Sequence, residues 1–229
     1  MDSVEHGVDA SRRVAGADGA RSNGSGADAA SIANVEALRE CILACRACQN
    51  AGLLAEAAPI AHGPTRARVL VVGQAPGVRS HVRRRHFAGP AGRVLEQWFD
   101  RAGFPPGYFR EQAYLSSLTR CFPGPAPRGQ GDRRPSPAEL RLCRPFLVAE
   151  LRLLQPAVVL LVGKMAIEHF LGPCRLDDVV GTLVERDGRR HLPLPHSSGV
   201  SRWLNDPAHQ VLVDRALALL AECREQLQL

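Results

Sequence analysis

Four cysteines have the type and spacing of a thiolate ligand set. Cys45 and Cys48 form a C-x-x-C pair, Cys121 follows a predicted strand, and Cys143 lies further along in a predicted helix. Two ligands on one short segment and two from distant elements can bind zinc or a four-iron cluster. Cys41 lies one helical turn before Cys45 and is therefore a competing ligand.

A loop late in the chain carries a histidine that could stabilise negative charge. The segment 195–203, PHSSGVSRW, follows an apolar run, so His196 is expected at a strand end among hydroxyl and backbone donors. A histidine there can hydrogen-bond an oxyanion that develops on a leaving group. Arg202 and Trp203 suit a phosphate contact and a groove contact. Taken alone, the segment favours a capped turn around a structural histidine.

Two glycine-rich segments, 73–77 (GQAPG) and 86–92 (HFAGPAG), follow the first predicted strand. Their glycines let the backbone approach a ligand closely and offer N–H groups to it. Phe87 could stack on a planar base, although an isolated phenylalanine is more often part of a core. The dinucleotide-binding G-x-G-x-x-G spacing is absent, so an ordinary tight strand-to-helix turn is the alternative.

The segment 120–134, RCFPGPAPRGQGDRR, is long for a connection and is basic. A basic loop beside a site at the edge of a sheet suits contacts with the DNA backbone, here through Arg128 and Arg133. A solvated loop without a partner is an equally weighted interpretation.

The elements that must position these segments alternate between strand and helix. Short apolar strands between helices predict a mostly parallel sheet covered on both faces, in which the working loops follow the carboxyl ends of the strands. We therefore expect the unusual segments to meet in one composite site. Strands are predicted at 68–73, 113–119, 157–163, 183–185 and 191–194, the last two flanking a hairpin signal, and helices at 35–44, 91–102, 136–154, 164–170 and 208–227.

Composition bounds the class of protein. The chain has 229 residues, a net charge of +6 at pH 7 and only one lysine, Lys164, so arginine supplies nearly all of the positive charge. A basic balance favours an anionic partner, with nucleic acid ahead of a membrane. Residues 1–33 have almost no large apolar side chains and are predicted to be a disordered tail, followed by one domain at 34–229.

The sequence also suggests where the protein works. No signal peptide or membrane-spanning run is visible, so we expect a cytoplasmic protein without a membrane partner. The cytoplasm is reducing, which favours metal or cluster ligation by an ordered set of cysteines over disulfides.

Taken together, the segments resemble the uracil-DNA glycosylase superfamily, especially its iron–sulfur, family 4-like branch. The resemblance covers roughly residues 36–224, and the matching segments are GQAPG at 73–77, HFAGPAG at 86–92, YLSSLTRC at 114–121 and HSSGVSRW at 196–203. It implies a three-layer αβα sandwich with a central, mostly parallel, four-stranded sheet. It also implies a 4Fe-4S cluster on Cys45, Cys48, Cys121 and Cys143, with zinc as the alternative.

The resemblance implies a DNA glycosylase that removes uracil or another deaminated or damaged base, acting as a monomer on DNA. Phe87 would stack on the extruded base and His196 would stabilise the leaving base. The implied catalytic residues are Gln74, His196 and Asp132. The implied base-binding residues are Gly73, Ala75, Phe87 and Ser117. The implied DNA-binding residues are Ser198, Arg202, Arg128 and Arg133.

This chain departs from the family pattern at positions that matter for catalysis. Ser117 stands where the family has a uracil-reading asparagine, and a hydroxyl cannot offer both an amide donor and an acceptor, so relaxed base specificity is expected. Gln74 and Ala75 stand where many members carry an acid, so the water must be positioned by Gln74 or by a group from a loop, for which Asp132 and His86 are the candidates.

Two other function classes stay open at this stage. One is a protein that binds uracil-containing or damaged DNA without turnover, or traps it covalently through His86. The other is a zinc-stabilised nucleotide-binding protein unrelated to repair.

Overall fold

The fold is described by a computed structural model, in which residues 28–127, 131–198 and 202–229 are described. Arg128 and residues 1–27 of the predicted tail lie outside the described residues. Within these ranges, no helix combines the length and apolar character needed to cross a membrane.

Helices and strands follow the predicted order. The helices are α1 (Val35–Ala44), α2 (Ala47–Asn50), α3 (Val78–Arg83), α4 (Pro90–Arg101), α5 (Tyr108–Glu111), α6 (Pro137–Leu154), α7 (Lys164–Leu171), α8 (Leu176–Val179) and α9 (Pro207–Leu227). The strands are β1 (Val69–Gly73), β2 (Tyr114–Ser117), β3 (Val158–Val162), β4 (Val184–Arg186) and β5 (Arg189–Leu194).

One mostly parallel sheet organises the described residues. Its strand order is β2-β1-β3-β5-β4, and only the edge strand β4 runs antiparallel to its neighbour. The sheet has five strands rather than the four that the family resemblance implies. The additional strand is β4, which the hairpin at Asp187 and Gly188 places at the edge. The α/β class and the parallel core are confirmed.

Helices cover both faces of the sheet, which confirms the three-layer prediction. Val69 and Val71 of β1 pack into a core with α4, α5 and α9. Leu70 and Val72 pack into a second core with α6 and α7. Every residue of β1 is buried, as expected for a continuous apolar strand between two helical layers.

The packed part of the chain begins earlier than the predicted boundary at residue 34. A short 3-10 helix, Asp28–Ser31, contacts α6, and Ala29 is fully buried there with Leu38 and Phe146. The low-complexity composition predicted a tail through residue 33, whereas Ala29 and Ile32 both pack against the core formed with α1 and α6.

Candidate functional site

The candidate site lies where β1, β2, β3 and β5 end. Gly73 ends β1 and pairs with Ser117, the last residue of β2, while Gly163 follows β3 and donates its N–H to Leu194 O at 2.9 Å. These ends share one edge of the sheet because the strands are parallel. The predicted composite site is thus brought together by topology.

Phe87 and His196 both lie at this edge, on neighbouring strand ends. The Phe87 ring packs over Gly73, so closely that a Cβ on this glycine would lie 2.9 Å from Phe87 Cζ. His196 packs against Gly163 in the same way, with 3.3 Å between such a Cβ and His196 Cδ2. Since β1 and β3 are adjacent, about 4.8 Å apart, the two rings lie over neighbouring strand ends.

The turn that carries Phe87 is strained and clamped. Phe87 has a φ of 52°, in the left-handed region that bulky residues avoid. Arg110 holds the turn by donating to Phe87 O at 3.1 Å and to His86 O at 3.3 Å, while its Nε pairs with Glu96 at 2.5 Å. Only glycine fits at position 92, because a Cβ there would meet Phe87 O. The ring is therefore fixed before any ligand arrives.

Gly73→Ala tests the importance of this ring position. The added methyl group must push the Phe87 ring off the end of β1, so we expect a planar base that stacks on this ring to bind more weakly by the value of one base–aromatic stack, about 1–3 kcal/mol or roughly 5- to 150-fold. Equilibrium titration of wild type and variant with a ligand that carries such a base measures this effect. The control is a Phe87→Ala background, in which the same substitution should add little; an equal loss there would mean that Gly73 acts through something else.

His196 is held by Ser198 in a defined protonation state. The Ser198 N–H donates to His196 Nδ1 at 3.2 Å, and the Ser198 hydroxyl lies 2.8 Å from the same nitrogen. An Nδ1 that accepts a hydrogen bond places the single proton of the neutral ring on Nε2. Desolvation lowers the pKa of His196, which favours this neutral ring, although part of the residue remains accessible to solvent. Ser198 thus positions the histidine, and its predicted contact with DNA stays a prediction.

Asp132, in the basic loop 120–134, brings a carboxylate to the first loop, which follows β1 at residues 73–77. Asp132 Oδ2 accepts the Val78 N–H at 3.3 Å, and a Cβ on Gly77 would lie 2.6 Å from that oxygen. A backbone bridge between Pro125 and Asp132 fixes this approach. Gln74, predicted to be catalytic, is half-buried and makes no side-chain hydrogen bond within the described residues, and the neighbouring Ala75 is also half-buried.

Ser117 is placed at the site but its hydroxyl is engaged. It is buried, and its Oγ donates to Thr119 O at 2.7 Å. The carbonyl of Ser117 accepts a hydrogen bond from Arg120 Nη1. The base-facing end of β2 therefore offers one hydroxyl oxygen as an acceptor, rather than an amide.

A buried ion pair supports this strand end, and sequence reasoning missed it. The Arg120 guanidinium donates to Glu150 Oε2 at 2.8 Å, with both side chains almost fully buried. Ser116 Oγ donates to the same oxygen at 2.7 Å. The arginine appeared in the sequence as one cation of a basic loop, and nothing local linked it to a glutamate in α6.

His86 is unsuited to the chemistry considered for it. It is 2% exposed, its Nε2 lies 3.2 Å from Ile60 O, and desolvation lowers its pKa to about 3. The predictions that His86 positions the water or traps DNA covalently are wrong, because the ring faces the interior.

Three further predicted DNA contacts lie in different surroundings. Arg133 donates two hydrogen bonds to the Glu139 carboxylate, from Nη1 to Oε2 at 2.8 Å and from Nη2 to Oε1 at 2.7 Å. Glu139 also forms the capping box at the start of α6 with Ser136, so in this structure the Arg133 guanidinium binds a carboxylate. Arg202 is exposed at the start of a 3-10 helix, as a phosphate contact requires. Trp203 is committed to a stack on His209 at 4.0 Å, which does not support a groove contact.

The predicted ligand cysteines converge around Cys143. A hydrogen bond with Cys48 lowers the pKa of the Cys143 thiol to about 7, and the Arg120 guanidinium acts in the same direction. Cys121 and Cys45 each interact electrostatically with Cys143. Elements far apart in sequence, α1, α2, α6 and the end of β2, therefore bring these four thiols together.

The chemistry of this cluster fits an iron–sulfur ligand set. Backbone N–H groups donate to three of the sulfurs, those of Cys45, Cys121 and Cys143, and the Arg120 N–H lies 3.4 Å from Cys143 Sγ. Such donors stabilise thiolates and tune clusters. Among the described residues, however, no group of three or more His, Cys, Asp or Glu side chains is arranged so that it could hold a metal ion.

Comparison with known proteins places the chain among related sequences. A family model described as "Uracil DNA glycosylase superfamily" matches residues 60–221. The type-4 uracil-DNA glycosylase of Archaeoglobus fulgidus is 28% identical over 145 residues, 63% of this chain and 66% of that protein. That of Sulfurisphaera tokodaii is 24% identical over 136 residues, 59% and 57% respectively.

A third relative shows that the similarity extends to larger proteins. The DNA polymerase of Bacillus phage SP01 is 24% identical over 163 residues, which are 71% of this chain but 16% of the polymerase. The match thus spans under two thirds of the length of each of these three relatives.

Proposed function

The chain belongs to the uracil DNA glycosylase superfamily, and from that membership we propose that it hydrolyses the N-glycosidic bond of uracil, or of another deaminated or damaged base, in DNA. The observation that carries the proposal is the placement of Phe87 and His196 on neighbouring strand ends at one edge of the sheet. A planar base extruded from the duplex would stack on the first ring while the second reaches its carbonyl oxygen.

His196 supplies the electrostatic part of the reaction. As the bond to the sugar breaks, negative charge grows on the carbonyl oxygen of the leaving base. The Nε2–H of the neutral imidazole is available to donate to that oxygen, because Ser198 occupies Nδ1. A donor aimed at developing charge stabilises the transition state more than the ground state.

Asp132 is our candidate for positioning the attacking water. The sugar becomes oxocarbenium-like, so a weakly activated water suffices, and a carboxylate beside it also stabilises the positive charge. Asp132 brings that carboxylate to the first loop at Gly77, near the position where many superfamily members carry an acid of their own. Gln74 lies four residues before Val78 on the same loop and can hold the water by hydrogen bonding.

Asp132→Asn separates the catalytic role of this residue from its structural one. The amide oxygen still accepts the Val78 N–H, so stability should change little, whereas loss of the charge should lower kcat about 100-fold, at the lower end of the effects of positioned acids and bases. Single-turnover rates on uracil-containing DNA measure this, with thermal unfolding in parallel. Unchanged rates would remove Asp132 from the mechanism and leave Gln74.

The substrate range proposed here is broader than uracil alone. A uracil-reading site needs a donor and an acceptor for the pyrimidine edge, but Ser117 offers only a hydroxyl that already donates to Thr119. Hypoxanthine and other adducts are therefore included with uracil as candidate substrates.

We propose that Cys45, Cys48, Cys121 and Cys143 hold a 4Fe-4S cluster with a structural role. When bound, such a cluster supplies cross-linking of distant elements, here α1 and α2 to α6 and the end of β2. The backbone donors to the sulfurs stabilise thiolate ligands of either metal, and the similarity to type-4 uracil-DNA glycosylases is what favours the cluster over zinc. Cys41 is the remaining alternative to Cys45.

Cys143→Ser tests the cluster without relying on activity. We expect the wild type to purify brown with bound iron and acid-labile sulfide, and the variant to lose most of both, because Cys143 is the thiol that the others surround. Metal analysis and visible absorption are the measurements. Cys174→Ser, in a partly exposed position outside the cluster, is the matched control. A colourless wild type containing zinc would replace iron with the alternative metal.

The decisive experiment for the proposed function is strand cleavage after glycosylase treatment. Oligonucleotides with a single uracil, hypoxanthine or ethenocytosine are incubated with the protein and then treated with alkali, which breaks DNA at abasic sites. We expect cleavage with wild type and much less with His196→Ala. No cleavage of any of these substrates would overturn the proposal.

A further inference from the structure

Helix α3 presents an exposed face that the chemistry described so far does not use. Val78 and Arg79 are followed one turn later by Val82 and Arg83, and these four residues, here called the α3 face, all point to solvent. Val78 is 50% exposed and Val82 is 73% exposed, which makes them two of the few large apolar side chains outside the cores in the described part of the chain.

The α3 face adjoins the turn that carries Phe87. Ser80, on the inner side of α3, accepts the Ala88 N–H at 3.3 Å, and Arg83 donates to Ala88 O at 3.0 Å. The stem of Arg79 runs beside Gly89. A polymer that delivers a base to Phe87 must therefore pass close to this face.

The positive charge around the α3 face is concentrated and largely unneutralised. Arg84 and Arg85 extend it, so four arginines fall within seven positions, 79–85, all of them exposed. Arg79 and Arg85 make no side-chain hydrogen bond or ion pair within the described residues. Asp132, at the start of α3, is the acidic group that contacts this helix.

The last two arginines after α3 have different surroundings. Arg84 ends the helix in the left-handed conformation common at helix C-termini, with a φ of 52°. Its guanidinium turns back and donates to Pro59 O at 3.0 Å. Arg85 follows in an exposed position, so Arg79 and Arg85 are the arginines of this surface with guanidinium groups open to a ligand.

We propose that the α3 face, with Arg85, docks on the sugar–phosphate backbone of duplex DNA beside the extruded nucleotide. This rests on the proposed function, because DNA is the polyanion that must reach Phe87. The arginines contact phosphates, which bind guanidinium groups through forked hydrogen bonds. The exposed valines pack on the apolar sides of deoxyribose, which explains why they lie among cations.

The salt dependence of DNA binding tests this surface. Each phosphate contact releases counterions, so removing one lowers the slope of log Kd against log salt by about 1. For Arg79→Gln with Arg85→Gln we expect the slope to fall by about 2 relative to wild type. The probe is a short fluorescein-labelled duplex with a tetrahydrofuran abasic analogue, which is bound without turnover, titrated at several salt concentrations and followed by anisotropy.

A matched control removes the same charge elsewhere. Arg66→Gln with Arg215→Gln replaces two exposed arginines, one before the amino end of β1 and one on α9, neither with a side-chain hydrogen bond or ion pair in the described residues. We expect the control to keep the wild-type slope. Equal slopes for both double variants would overturn the docking face, because only net charge would then matter.

Failure of the proposed function would look different. If the wild type binds the probe but cleaves no damaged oligonucleotide, glycosylase activity is refuted while the slopes still decide the role of the α3 face. If the wild type does not bind the probe at all, both proposals fall. If it binds and cleaves with unaltered slopes in the variants, only the docking face falls.

Discussion

Replacing His196 with alanine is expected to lower kcat about 100- to 1,000-fold on a uracil-containing duplex, the cost of removing one well-aimed donor to a developing oxyanion. Binding of the abasic analogue should be nearly unchanged, because that ligand lacks the base that His196 contacts. His196 is exposed in the loop that follows β5, beside Gly163, so the truncation leaves no core cavity. Single-turnover kinetics on DNA measure the rate, and an anisotropy titration measures binding of the abasic analogue. Thermal unfolding checks that the variant is as stable as the wild type.

The pH dependence of kcat provides a second test, because a histidine with a purely structural role would leave it unchanged. Desolvation lowers the pKa of His196 from its ordinary 6.5, so the neutral ring persists to lower pH than in an ordinary histidine. Protonation puts a hydrogen on Nδ1, which faces the Ser198 N–H, and this breaks the contact that orients the ring. We therefore expect kcat to fall as the pH is lowered, with a midpoint below 6.5.

His196→Gln is the conservative variant for the same prediction. Its amide can still donate one hydrogen bond, but Ser198 no longer fixes its orientation, so a partial recovery over alanine is expected. If the alanine variant turns over at the wild-type rate, the base is stabilised by another group and the site must be reassigned.

The parallel arrangement of the strands explains why much of this site could be predicted from the sequence. Parallel strands end at one edge, so placing Gly73, Ser117, Gly163 and His196 at strand ends was enough to predict that they meet. Local signals worked equally well where they are strong. Helix α6 begins where it was predicted, at a capping box of Ser136 and Glu139, and α1 has its predicted bounds.

Contacts between distant loops could not be predicted in this way. A backbone bridge between Pro125 and Asp132 reverses the chain and brings Asp132 to the first loop. The next residue, Arg133, then binds Glu139. Neither contact leaves a periodic pattern in the sequence. Helix α3 was missed because it is short and its exposed valines break the amphipathic pattern on which helix prediction depends.

The second large effect is expected from the buried ion pair beneath the site. Glu150→Ala leaves the Arg120 guanidinium buried without its counter-charge, a change that costs about 3–5 kcal/mol in unfolding free energy. For a chain of this size, the melting temperature should drop by roughly 10 °C. Urea unfolding gives the free energy directly. The matched control is Asp214→Asn in the exposed pair with Arg101, where less than about 1 kcal/mol is expected.

Removing both charges separates stability from positioning. Arg120→Met combined with Glu150→Leu keeps the volume and leaves no unpaired charge, so most of the lost unfolding free energy should return. The carbonyl of Ser117 nevertheless loses its donor, and Ser116 loses its acceptor. If the pair serves to hold the end of β2 for the base, this stable double variant keeps a defect in kcat/KM, with weaker discrimination between uracil and hypoxanthine. A double variant with wild-type kinetics would show that the buried charges contribute to folding alone, since the strand end would then hold its shape through the backbone pairing of Ser117 with Gly73.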